Sequence, residues 1–297
     1  MIDPTSDRFL NDLRRIQTRA ERAQAQLSSG VRVSRPSDSP DQVGTILDLS
    51  AGLDRVAQIR QNLTRVKLEV DSGEQALGAA VAALDRAEVL GTQGASFTTT
   101  ATGRAALAGQ ALNVLDQLVG LANTKVEGRY IFSGDADRNA PYRLNLSSAN
   151  GVTAYAGSAS TRQVEDPAGA LIPVARDASS IFDNAATASA FAAVNALRLA
   201  LAANDPVATA AALSPLRAAR DQIAGDLSFY GAVQNEVARA TEASHQVESQ
   251  LKTGLGDTRD ADLAEAAVEL SRAQVQHEAA LASRAKLPRT SLFDYLG

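Results

Sequence analysis

Residues 49–87 read LSAGLDRVAQIRQNLTRVKLEVDSGEQALGAAVAALDRA, and two interleaved series run through them. Leu49, Val56, Leu63, Val70, Leu77 and Leu84 recur every seventh residue, each followed three residues later by Gly52, Ile59, Val66, Gly73, Ala80 and Ala87. Alternating steps of three and four put both series on one face of an α-helix, the seam of a coiled-coil-like pair. Continuous from Gln42 to Leu90, this helix would extend about 70 Å, too long for a compact globule and suited to a rod. Gly73 and Gly78 weaken its middle and allow a bend there.

Such a seam needs a partner, and the later sequence supplies one. Leu216, Ile223, Tyr230, Val237, Ser244 and Leu251 again repeat at seven, with Leu227, Val233, Ala240 and Val247 filling the seam. Between the two long helices, Gly94 to Gly103 reads as a turn, and Leu107, Leu112, Leu115, Leu118 and Ala122 mark a helix that stops near Asn123. Gly128 to Gly134 is a short β-like run bracketed by glycines. From Asp135 to Asp183 the periodicity falls to two, around Tyr142, Leu144 and Leu146, Val152 to Tyr155, Val164, and Leu171 to Val174, with turn residues between. An insert of that size has little core of its own and should lean on the rod or on a neighbour. Helix returns at Phe191, Val194, Leu197 and Leu201, and Asp205 can cap a new helix starting at Pro206.

The ends carry stripes of their own. Phe9, Leu13, Ile16, Ala20, Ala23 and Leu27 share one helical face, and Leu263, Ala267, Leu270, Gln274, His277 and Leu281 are read as another. The first helix should end at Ser29-Gly30, and Val31 to Asp41 forms a loop punctuated by Pro36 and Pro40, with proline at the first position of the long helix. Gly254 to Gly256 is expected to interrupt the descending helix, and the terminal helix is expected to run to about Leu287, before Pro288 and a short apolar tail from Ser291 to Leu296. Neither stripe can bury itself, since isolated helices are marginal in water. Their partners are each other or sister copies, and packing against sister copies is favoured because alanine-rich stripes bury little area in a lone pair. Arg8, Arg14, Arg15, Arg19, Arg22, Arg32 and Arg35 dominate the first stretch and Asp257, Asp260, Asp262, Glu265, Glu269 and Glu278 the last, which favours pairing them.

The fold expected is mainly α: a long antiparallel helical rod with paired terminal helices and a small β-rich insert at its distal end. Residues 1–44 and 256–297 would form a terminal helical assembly domain, 45–134 and 184–255 the rod, and 135–183 the insert. A formal charge of -5 argues against nucleic acid. The absence of cysteine excludes a disulfide framework and thiolate chemistry. No run of about 18 apolar residues suggests membrane insertion, and Met1 to Thr5 lacks a secretory-signal pattern. His245 and His277 each lack a second histidine at ligand spacing, and the acids from Asp260 to Glu269 have a sufficient role at a helix N-terminus. No catalytic, cofactor or metal residue is expected.

The sequence also resembles a known family. Gln26-Leu27-Ser28-Ser29-Gly30, then Arg32-Val33-Ser34-Arg35-Pro36-Ser37-Asp38-Ser39-Pro40, is similar to the N-terminal signature of the bacterial flagellin superfamily. Asp260 to Ala266 and Leu270 to Gln274 resemble its C-terminal signature. Within that superfamily, Arg35-Pro36-Ser37-Asp38-Ser39-Pro40, Ala122-Asn123-Thr124 leading into Gly128-Arg129-Tyr130-Ile131-Phe132-Ser133-Gly134, and Ser291 to Leu296 look like the hook–filament junction proteins. The resemblance implies an extracellular, non-catalytic adaptor of the flagellum, exported without a cleaved signal. Its implied partners are sister subunits in a ring, the hook-side junction protein, flagellin, and a cytoplasmic export chaperone. A filament flagellin is the nearest alternative, and a cytoplasmic coiled-coil protein a more distant one.

Overall fold

A computed structural model describes residues 4–184 and 188–285. In chain order the helices are α1 (Pro4–Ser29), α2 (Pro40–Ala95), α3 (Ala101–Ala122), α4 (Ala178–Phe182), α5 (Ala190–Ala202), α6 (Pro206–Ala211), α7 (Leu213–Arg259) and α8 (Leu263–Ala285). Three short antiparallel hairpins stand between α3 and α5: β1 (Lys125–Val126) with β2 (Arg129–Tyr130), β3 (Gln163–Glu165) with β4 (Leu171–Pro173), and β5 (Asp183–Asn184) with β6 (Ala188–Ser189). The chain forms two compact units: Met1–Arg55 with Glu248–Gly297, and Val56–Val247.

In the Val56–Val247 unit the two long helices run antiparallel. The α2 seam is the one its heptads draw: Val56, Ile59, Leu63, Val70, Gly73, Leu77, Ala80, Leu84 and Ala87 are buried. Opposite them α7 buries Leu216, Ala219, Ile223, Asp226, Tyr230, Val233, Val237, Ala240 and Ser244, an unbroken three-four alternation. Leu227 and Val247, expected in that seam, are only half-buried beside it. From Ala76 onward α2 buries a second row, Ala76, Ala83, Leu90 and Gly94, because α3 and α5 also pack in this unit. By length and composition α3 is apolar enough to cross a membrane, yet Ala111, Leu115, Leu118 and Ala122 are fully buried, the signature of a core helix.

Caps mark the helix ends, and the turn expected over Gly94 to Gly103 is shorter, since α2 runs to Ala95 and α3 starts at Ala101. Thr100 accepts from the Gly103 amide to start α3, and Asp205 accepts from the Val207 and Ala208 amides to start α6 before its leading proline. Asn123 ends α3 and clamps the insert to it, its side chain donating to the Tyr142 carbonyl (2.8 Å) and accepting from the Tyr142 amide (3.2 Å). The insert does lean on the helices. Its core is a row of rings in which Phe132 meets Phe182 and Tyr230, Phe182 meets Phe191, and Phe191 meets Tyr142 at 4.9 Å. Aromatics are 4% of the chain, and most of the buried ones gather here, where short strands give too little area without them.

One expected break is absent. Gly254 and Gly256 lie inside α7, which continues to Arg259. Glycine here makes room rather than a stop: a β-carbon at Gly254 would meet Leu49 at 3.5 Å, and one at Gly52 would meet Leu251 at 3.2 Å. The real interruption is Asp260 to Asp262, and Asp262 caps α8 by accepting from the Ala264 and Glu265 amides. Leu287, Pro288 and the Ser291 to Leu296 tail lie outside the described residues.

Candidate assembly surface

The chain's two ends are tied by backbone. Gly30 leaves α1 with φ +70°, and the next residues turn onto the end of α7. Val31 bridges Asp260, the Arg32 and Val33 amides donate to the Arg259 carbonyl, and the Ala261 amide donates to the Gly30 carbonyl (2.9 Å). Arg32 adds its guanidinium on the Thr258 carbonyl (2.7 Å), one of the open carbonyls at the end of α7. Arg35, Pro36 and Asp38 form a tight turn closed by the Asp38 carboxylate, which accepts from the Arg35 amide (2.8 Å), the Ser34 amide and the Ser34 hydroxyl. These bonds, the Arg35 amide foremost, hold the Asp38 carboxyl below its ordinary pKa.

Beyond that tie α1 and α8 pair antiparallel. Every residue of the expected α1 stripe lies inward: Ala23 is buried, and Phe9, Leu13, Ile16, Ala20 and Leu27 are half-buried with exposed neighbours between. One flank is locked by Arg19, which donates to Gln276 (2.8 Å) and sits 3.6 Å from Glu269. At the far end Arg284 donates to Ser6 and stacks over Phe9.

The α8 stripe lies at a different register from the expected one. Ala266 and Ala273 are its buried residues, with Leu270, His277 and Ala280 half-buried alongside, whereas Leu263, Ala267, Gln274 and Leu281 are exposed. Alanines make the contact because close approach of two helices leaves no room for leucine there. The result is a pair only half covered. Leu10, Leu263, Val268, Val275 and Leu281 are each at least 45% exposed. A monomer that leaves a run of large apolar side chains in water has a surface meant for something else.

Of the other motif residues, all in the Val56–Val247 unit, Gly128 is exposed at a turn, Tyr130 is half-buried, and Phe132 and Gly134 are interior. Glu127 and Gly128, both at positive φ, turn β1 into β2, and Lys125 stands over the Tyr130 ring. Phe132 is fully buried. At Gly134 (φ +61°) a β-carbon would lie 1.9 Å from the Ser158 carbonyl oxygen, so only glycine fits. Tyr155 donates to the Phe132 and Ser158 carbonyls and pins the same crossing.

Three polar anchors have no periodic signal in the sequence. Arg104, 5% exposed, fans its guanidinium over the Gly94 and Ser96 carbonyls at the end of α2 and the Asn204 side chain. Arg162 pairs with Glu69, and Arg176 pairs with the buried Asp226 while covering Phe229. A lone arginine in an apolar helix was the one available hint for Arg104. Among the described residues no group of three His, Cys, Asp or Glu could hold a metal ion.

Two family models match the chain: the bacterial flagellin N-terminal helical region over residues 6–137 and the bacterial flagellin C-terminal helical region over residues 214–296. These regions contain both half-covered helices and both long seams, and the chain belongs to the flagellin family. Curated relatives include the flagellar hook-associated protein 3 of Salmonella typhimurium and of Escherichia coli, each 32% identical over 118 residues. The match covers 39% of this chain and 37% of each relative, so it spans well under half of their length. A putative flagellar hook-associated protein from Vibrio parahaemolyticus shares the fold at TM-score 0.66, with 20% identity, over 75% of this chain and all of that one. The flagellar hook-associated protein-3 of Legionella pneumophila does so at 0.64, with 17% identity, over 71% and 98%.

Proposed function

We propose that this chain is a non-catalytic adaptor of the bacterial flagellum, joining the hook to the flagellin filament. One observation carries the reading. The helices at the two ends, α1 and α8, pair with each other yet leave large apolar side chains uncovered, in regions that match flagellin's own terminal helices. Burial of such surface is favourable at roughly 25 cal/mol per Å², and sister subunits are the available source. The curated hook-associated relatives favour the junction over the filament shaft. In this reading the stripes Phe9 to Leu27 and Leu263 to Leu281 meet sister copies in a ring, with the hook-side junction protein on one side and flagellin on the other. The subunit acts outside the cell, leaves it without a cleaved signal, and is escorted beforehand by a chaperone that shields its exposed apolar surface.

The matches to flagellin's terminal regions favour a second reading, a filament subunit. Electron micrographs of a deletion strain test the flagellar role itself, since hooks without filaments are expected for either reading, and self-assembly separates the two. Purified protein added to flagellar fragments should cap them, and growth of long filaments would transfer the assignment to the second reading.

A further inference from the structure

The two helices of the terminal pair differ on their outer faces. The back of α1 is polar, with Arg8, Asn11, Arg15, Thr18 and Arg22 exposed along it. The back of α8 is not. Val268 and Val275, seven residues apart and 47% and 63% exposed, stand about half a turn from the Ala266 and Ala273 seam, with Ala264 and Ala282 extending the line. A helix apolar on both faces is one buried on both faces. On the flank away from the Arg19 lock, Ile16, Gln17 and Ala20 of α1 and Gln274, His277 and Glu278 of α8 border an open groove. Charges complement the shapes. Arg272 beside the ridge, and Glu21 and Glu278 beside the groove, have no ion-pair partner among the described residues.

We propose that the Val268–Val275 ridge of one copy seats in the α1–α8 groove of a second copy, with Arg272 meeting the acids beside that groove. The inference rests on the assembly reading above and specifies its contact. Ridge and groove lie on different sides of one helix pair, so each copy uses both, and the contact is heterologous. Contacts of that type repeat, closing into a ring or running on as a helix.

The chain contains no cysteine, so Ala20→Cys and Val275→Cys can be introduced without background. Val275 faces away from α1 of its own copy, and a disulfide needs Cα atoms within about 7 Å, so the bond can form only between copies. In flagella isolated from cells carrying the double variant, mild oxidation should give a ladder of covalent multimers that reductant dissolves, and each single variant should stay monomeric. Dimers from Val275→Cys alone would overturn the proposal in favour of a ridge-to-ridge contact. Flagella that contain the double variant at the wild-type level and give no cross-link would also overturn it, while leaving the adaptor reading standing. Absence of the wild-type chain from flagella would remove both.

Discussion

The ring of Tyr230 rests against the bare backbone of Gly73. A β-carbon at that position would come within 2.6 Å of the ring's Cε1. The ring has little freedom to retreat, because it is buried and its hydroxyl accepts from the Arg176 amide. Burial also pushes that hydroxyl's pKa up to about 12, so it stays a neutral phenol under ordinary conditions. Gly73→Ala should therefore destabilise the unit by about 1–3 kcal/mol through overpacking, even though alanine gains about 1 kcal/mol of helix propensity. Chemical denaturation checks the sign, and a stabilised variant would mean the propensity term wins.

The seam and the surface should respond differently to truncation. Leu63 is 1% exposed in the α2 seam, and Leu63→Ala should cost about 2–5 kcal/mol. Arg22, exposed on the back of α1, should tolerate Arg22→Ala within about 0.5 kcal/mol. Equal losses in a urea titration would count against the seam.

A buried tyrosine and a half-buried one make a contrasting pair. Among the described residues the Tyr142 hydroxyl makes no well-formed hydrogen bond, with the Asp183 carboxylate as its nearest charged neighbour, whereas Tyr155 donates to the Phe132 and Ser158 carbonyls. Tyr142→Phe should leave stability unchanged or raise it, and Tyr155→Phe should lower it by about 1 kcal/mol, both read as shifts in denaturation midpoint.

Acid should open the 34–38 turn. The Asp38 carboxyl titrates below its ordinary value of 3.8 because the ionised form accepts from Arg35 and Ser34. A depressed folded value means that the turn's stabilisation is complete above 3.8 and is lost as pH falls through the lower folded value. A carboxyl-carbon NMR titration should place Asp38 below the ordinary aspartate value of 3.8, and Asp38→Asn should loosen the turn at neutral pH. A titration at or above the ordinary value would remove the ionic closure.

How much of this was legible depended on how many partners each helix has. The α2 seam and most of the α7 seam are legible because one apolar face with steps of three and four admits one solution, whereas Leu227 and Val247 stand beside the α7 seam and Ala219 and Asp226 fill it without a heptad signal. On α8 the face that packs on α1 is carried by Ala266 and Ala273 with Leu270 and His277 beside them, and it is not legible because the helix is apolar on more than one side, where large residues such as Leu263 and Leu281 outweigh the alanines that make the contact. Glycine misled at Gly254, which lies against Leu49 without ending the helix, and the close approach of a tyrosine ring to Gly73 has no signal in the sequence. The anchors at Arg162 and Arg176 depend on pairings between distant segments and leave no local trace, and Arg104 leaves only its place as a lone arginine in an apolar helix.

The bond between Arg19 and Gln276 spans 257 positions of sequence. Closing so long a loop costs entropy that a thin alanine seam recovers only in part. The stretch made first is therefore among the last to find its mate. For as long as α8 has yet to be synthesised α1 stays unmated, and the pair can be completed only once both helices are present.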